Sequence, residues 1–300
     1  MDAADRVESL AASRPRYPSA TRARGRRGAI WLAVLQVALT AGAIAMVIPF
    51  AWMVSTSLKQ YQDVFAYPPI WIPNPVLWSN YTYAITEISF GSLYLNSLKI
   101  SILVTLGQLF TCSLAGYTFA RLRFPGRNAI FLAYIGTMMI PGQVTMIPVF
   151  LVMRTLGLLN THASVIIPAL ASPFGTCLFR QFYLTMPAEL EDAAKIDGSS
   201  YFGIYRRIFL PLSKPALATV GVFTFLGSWN DFLWPLIMLQ DKGQMTIPVG
   251  LAEFRNEMYN TAQWQYIMAG SVISILPILV IFFFAQRLFV RGIALSGIKG

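Results

Sequence analysis

Apolar residues along this chain gather in long runs separated by polar or proline-bearing stretches. A helix rises about 1.5 Å per residue and a bilayer's hydrocarbon core is about 30 Å thick, so roughly 20 apolar residues in succession cross it. Six runs reach that length, at approximately 29–55, 92–120, 128–153, 161–184, 208–239 and 265–290. Polar residues interrupt the fourth and fifth and blur their bounds. The pattern predicts an all-α membrane bundle over residues 29–300, behind a flexible tail, 1–28, that has almost no large apolar groups. The first run lacks a small-residue cleavage site, which makes it a retained anchor rather than a secretory signal. Between the first two runs, YPPIWIPNP at 67–75 carries too much proline for a helix or a central strand, and 58–91 reads as an ordered external loop. Trp71 and Trp78 there suit the headgroup level, where an amphipathic ring keeps one end wet.

Composition agrees with a bilayer as solvent. Of 300 residues 56% are hydrophobic and 12% charged, against about 45–50% and 25% in soluble domains. The net charge of +10 first suggests a nucleic-acid partner, but its distribution argues otherwise. Seven basic residues lie in the tail, three at 121–127, five between Arg180 and Lys214, and three at the C-terminus, which leaves five of the 23 for the opposite side. That asymmetry places both termini in the cytosol of a bacterial inner membrane and accounts for the charge without nucleic acid. Cys112 and Cys177 sit in apolar runs with no partner at metal or redox spacing, so neither a disulfide framework nor a metal site follows.

The chemistry available inside the membrane is sparse. An ion-driven transporter places carboxylates at the midplane to bind its coupling ion, yet only Asp231 falls within a proposed span. The single histidine, His162, lies at a loop edge, and no relay or catalytic pair can be built on it. None of the six lysines is followed by Ser or Thr, as a nucleotide-cradling loop requires. A transporter with neither an ion site nor a nucleotide site needs a separate ATPase, and hence a docking element.

Residues 185–215, TMPAELEDAAKIDGSSYFGIYRRIFLPLSKP, form the longest cytosolic connection and the one charged amphipathic stretch. Thr185 is expected to cap a first helix, with Pro187 in its opening turn and Glu189 and Glu191 opposing the positive dipole end. Gly198 is expected to end it in a left-handed conformation. Leu190, Ala193 and Ala194 fall on one small apolar face suited to a partner's groove. A second helix, 201–209, should follow, with Pro211 and Pro215 shaping the entrance to the next span.

The spacing Asp192-Ala193-Ala194, three residues, Gly198, nine residues, Ile208-Phe209-Leu210-Pro211 resembles the EAA loop of ABC importer permeases. Asp192 stands where that family usually has Glu, keeping the charge with one methylene less reach. NYTYAI, LNSLKIS, FARLRFPGRN, LGLLNTHASVIIP, WNDFLWPL and the terminal GIKG extend the resemblance to the carbohydrate-uptake, maltose-transporter type over most of 45–300. The resemblance implies a six-span permease subunit that is not itself an enzyme. It would pair with a second homologous permease, two ATPase subunits that bind ATP and Mg, and an extracytoplasmic sugar-binding protein, with no cofactor in this chain. It further implies that residues 185–211 are a coupling loop, in which Asp192, Ala193, Ala194, Asp197, Gly198, Leu210 and Pro211 meet the ATPase. Gly297, Ile298, Lys299 and Gly300 would be a tail reaching between the ATPase chains, with a frayed terminus as the alternative.

Sugars need flat aromatic faces and amide or carboxylate groups, which makes Trp229, Asn230, Asp231 and Trp234 the candidate substrate path. Helix packing or an interfacial belt competes for the same residues. Met138, Met139, Met146 and Met153 with Pro141, Gly142 and Pro148 suggest a kinked third span at a gate, or ordinary core packing. Two other functions remain in view: import of a non-sugar solute such as glycerol phosphate or an amino acid, and a six-span membrane enzyme or assembly factor. The latter would need polar catalytic groups at one depth, and no such cluster is visible.

Overall fold

The computed structural model describes residues 26–87, 89–257 and 263–296, and these are helical with no strand among them. Four helical segments are long and apolar enough to cross a membrane: Ile30–Ser57, Phe90–Arg121, Ala163–Leu184 and Trp264–Phe284. Two bent pairs raise the number to six if each is one span: Arg127–Met139 with Gly142–Thr155, at 102°, and Tyr201–Leu212 with Lys214–Trp229, at 78°. The expected third and fifth spans are thus broken rather than continuous. In the third, Pro141 forces Ile140 into an extended conformation (φ −87°, ψ 115°) and the helix stops there. Met139 and Met138 end up exposed, Met146 half-buried and Met153 buried, so the methionines do not form one packed core. The fifth ends at Trp229, ten residues earlier than expected, and a short helix, Leu233–Met238, follows the gap.

Helix α1 (Arg26–Ser57) is mostly apolar after Arg26 and Arg27, and its part up to Ala51 falls in a unit of its own. The second unit begins at Trp52. There, Asn80 at the start of α2 (Ser79–Glu87) donates to the carbonyls of Ser57 and Lys59, both at 2.9 Å, which ties down the proline-rich connection. Lys59 is buried with its Nζ 3.7 Å from the Trp52 ring centroid.

At the centre of this unit stands α3 (Phe90–Arg121), flanked by α7 (Pro173–Leu184) and α10 (Lys214–Trp229). Between them in sequence lie α4 (Arg127–Gly136), α5 (Gly142–Thr155), α6 (Ala163–Ile166), α8 (Glu189–Ile196) and α9 (Tyr201–Ile204). The approach of α3 to α7 is close because Gly116 has no side chain: a Cβ there would meet the Cβ of Phe179 at 2.6 Å. Beyond α10 come α11 (Leu233–Met238), α12 (Ile247–Glu257) and α13 (Trp264–Ser296). Three buried clusters knit the unit. One, around Tyr117, Tyr183, Tyr205 and Phe209, lies beneath α8; a second joins α3, α10 and α12 through Phe90, Phe225 and Val249; the third joins Ile100, Val104 and Met153 to Met238.

Candidate functional site

The docking candidate is α8. Glu189, Glu191 and Asp192 occupy its first turn, as the dipole favours. Thr185 does not cap it: its hydroxyl donates to Phe182 O and closes α7 instead. Pro187 disfavours helical geometry in the residue before it, so α8 starts only after the proline. The far end meets expectation. Gly198 sits at φ +75°, its N–H bonds Lys195 O, and the N–H of Ser199 reaches back to Ala194 O, a Schellman termination.

The apolar face is split. Ala194, 6% exposed, turns inward onto the aromatic cluster, whereas Leu190, Ala193, Asp192, Asp197 and Ile196 face outward, Ile196 at 87% exposed. Ala194 is therefore an anchor for the helix, and the outward set is the surface a partner can reach. Glu191 is also buried and pairs with Lys195 at 2.8 Å, a hydrogen bond that pushes the Lys195 amine up. Leu210 is half-buried against the cluster and Pro211 exposed.

Beneath α8 the packing is aromatic. Tyr117 stands 5.1 Å from Phe209 and 5.6 Å from Tyr205, centroid to centroid; Tyr205 shares a hydrogen bond with Ser113, and Tyr183 donates to Ser213. Arg121, the last residue of α3, donates through Nη2 to the carbonyls of Tyr183 and Met186 and lies over the Phe209 ring. One guanidinium thus fastens the end of α3 to the end of α7 just before the connection to α8. A wide π turn, Tyr205–Phe209, lies between α9 and the segment Leu210–Leu212 in place of the expected regular helix.

A second site lies near the mid-length of α3. Between Ile167–Leu170 and α7 the fourth span loses α-helical form, with Ala171 and Ser172 extended. Carbonyls freed by such a break must find donors when no water is at hand. Residues of α3 supply them: Gln108 Nε2 donates to Ala169 O at 2.7 Å, Thr111 to Leu170 O, and Cys112 Sγ to Ser172 O. The break opens on a cavity of about 330 Å³. Its wall includes Gln108, which accepts from Thr224 at 2.9 Å, and the aromatic pair Phe174 and Phe223, 6.4 Å apart and edge to face. Ser228, Asp231 and Trp234 complete the polar side. Asp231 accepts backbone N–H groups of Leu233 and Trp234, and Trp234 donates its indole N–H to Ser164 O.

Residues 112–295 match the model of the binding-protein-dependent transport system inner membrane component family. The chain belongs to that family. It is 40% identical over 232 residues to the arabinooligosaccharides transport system permease protein of Halalkalibacterium halodurans, covering 77% of this chain and 82% of that one. It is 34% identical over 264 residues to the sn-glycerol-3-phosphate transport system permease protein of Yersinia pestis, covering 86% and 94%. Among solved structures, a chain of a bacterial ABC transporter that imports the acidic polysaccharide alginate superposes with a TM-score of 0.78 at 24% identity, covering 88% of this chain and 98% of that chain, which establishes the fold.

As a permease of this family the chain is the membrane component of an importer, and the sequence-derived substrate path can be sorted on its structure. Trp229 is buried among Tyr94 and Phe225, bonds Ser274 O, and is a packing residue. Asn230 is exposed and closes the end of α10 on Leu226 O. Only Asp231 and Trp234 reach the cavity. Thr224 and Ser228 were legible in principle, because Thr224, Ser228 and Asp231 recur at i, i+4, i+7 in an apolar run, whereas Gln108 had no such signal. Gly297, Ile298, Lys299 and Gly300, and nearly all of the tail 1–28, lie outside the described residues.

Proposed function

We propose that this chain is one permease half of an ATP-driven carbohydrate importer, working by alternating access with a second permease, two ATPases that bind ATP and Mg, and an extracytoplasmic sugar-binding protein. Residues 29–300 are the transmembrane domain, both termini face the cytosol, and 185–211 couples it to an ATPase. The observation that carries the coupling role is the outward face of α8, held by an inward Ala194 and backed by the Arg121 clamp. A push on that face reaches α3, α7 and the path toward α10 through packed aromatic rings rather than through a loose loop. The carbohydrate assignment draws on the relative that carries arabinooligosaccharides.

The test is Ala193→Arg, which leaves the inner packing untouched. In the purified complete importer it is expected to leave membrane insertion intact and to abolish solute-stimulated ATP hydrolysis. Undiminished stimulation would remove α8 from the coupling role. Stimulation by receptors loaded with arabinooligosaccharide, against receptors loaded with glycerol 3-phosphate, decides between carbohydrate and the second reading that the glycerol-phosphate relative favours.

A further inference from the structure

The cavity beside the broken fourth span has features that helix packing does not require. Irregular backbone at membrane depth is tolerated where it is buried or lines a polar space, and here it does both. The volume, about 330 Å³, lies at the small end of ordinary ligand sites and suits one or two ring units. Its wall pairs two aromatic faces, Phe174 and Phe223, with an amide, a hydroxyl and a carboxylate at Gln108, Thr224 and Asp231. Aromatic faces suit the C–H surface of a sugar ring, while amide and carboxylate oxygens accept its hydroxyls.

The charge is one-sided. Among the described residues lining the cavity, Asp231 is the sole ionisable acid or base, and no Lys, Arg or His of that lining joins it. Its hydrogen-bond partners, Leu233 and Trp234, are backbone N–H groups, which orient the carboxylate without cancelling its charge. In a confined space of low dielectric a fixed negative charge repels a second one far more strongly than in water.

We infer that this cavity is a binding station for uncharged polyhydroxylated rings, and that Asp231 both accepts their hydroxyls and turns away anionic solutes such as sugar phosphates and uronates. This rests on the carbohydrate reading above and narrows it: the transported sugar is neutral. Asp231 is then a specificity residue in direct contact with solute, and Phe223 is its apolar counterpart across the cavity.

Saturation-transfer NMR on the complete, nucleotide-free importer in lipid nanodiscs tests this, with α-1,5-arabinotriose as the neutral probe and digalacturonate as the anionic one. The wild-type importer should transfer saturation to arabinotriose and not to digalacturonate. Asp231→Asn and Asp231→Ser both keep an acceptor for the backbone N–H groups and remove the charge. Each is expected to bring the digalacturonate signal up from background while lowering that of arabinotriose by about threefold. Phe223→Ala should weaken the arabinotriose signal, and combined with Asp231→Asn should weaken that of digalacturonate as well. If assembled Asp231→Asn and Asp231→Ser importers exclude digalacturonate as the wild type does, the charge role is overturned while the carbohydrate reading stands. If no variant, wild type included, transfers saturation to either sugar, the carbohydrate reading falls and the binding station with it.

Discussion

The joint beneath α8 and the cavity beside the broken span are both built on α3, and they meet the same need with different backing. In each, α3 side chains satisfy backbone carbonyls that a helix has released: Arg121 those of Tyr183 and Met186, Gln108 that of Ala169. At the joint the donor Arg121 lies over the Phe209 ring, against the aromatic cluster, and its other side borders a cleft of about 650 Å³ shared with Glu191, Asp192 and Lys195. At the cavity Gln108 backs a short stretch of extended backbone and borders a smaller space of about 330 Å³. The difference lies in what stands behind the donor: packed rings at the joint, which resist displacement, and irregular backbone at the cavity.

The sharpest way to break the joint is Gly116→Leu. Its side chain would be driven into Phe179, so a loss of about 3 kcal/mol is expected, read as failure of the complete importer to assemble on size-exclusion chromatography. Arg121→Met comes next. It takes a charged donor from two carbonyls, at about 1–3 kcal/mol in all, and solute-stimulated ATP hydrolysis should fall while unstimulated hydrolysis by the ATPases persists.

Gln108→Leu makes the equivalent change at the cavity. Because Ala169 O and Thr224 lose only a neutral amide partner, the expected cost is about 1 kcal/mol, visible as a small drop in unfolding temperature beside that of Arg121→Met. Equal drops would mean that the charge on Arg121 adds nothing to its two hydrogen bonds. Tyr117→Phe should do least: the phenol is buried and its hydroxyl has no hydrogen-bond partner among the described residues, so its removal is expected to be neutral or to stabilise by up to about 1 kcal/mol.

The two regions also differed in how far their sequence announced them. The long helices were readable because crossing hydrocarbon demands a run of apolar residues whatever the neighbours are. The Schellman end of α8 was readable because Gly198 supplies a backbone conformation that other residues resist. Which alanine faces in was not, since Ala193 and Ala194 are identical in composition and only the position of Tyr117 and its neighbours distinguishes them. Trp229 and Trp234 pose the same difficulty five residues apart: one faces Tyr94 and the other the cavity. The break before Pro173 lies in the middle of an apolar run, and its stability comes from Gln108, Thr111 and Cys112, some 60 residues away along the chain. No local pattern encodes a partner at that distance.

The wide turn Tyr205–Phe209 implies a tolerance for change in chain length. A π turn stores one surplus residue, which an ordinary helix has no room for. Deleting the exposed Arg207 would let the backbone tighten to regular winding while everything downstream keeps its azimuth. The same deletion inside α10 would spin all later side chains by about 100°. The slack needed to adjust this connection without re-aiming the helix that follows is held in that single loop of backbone.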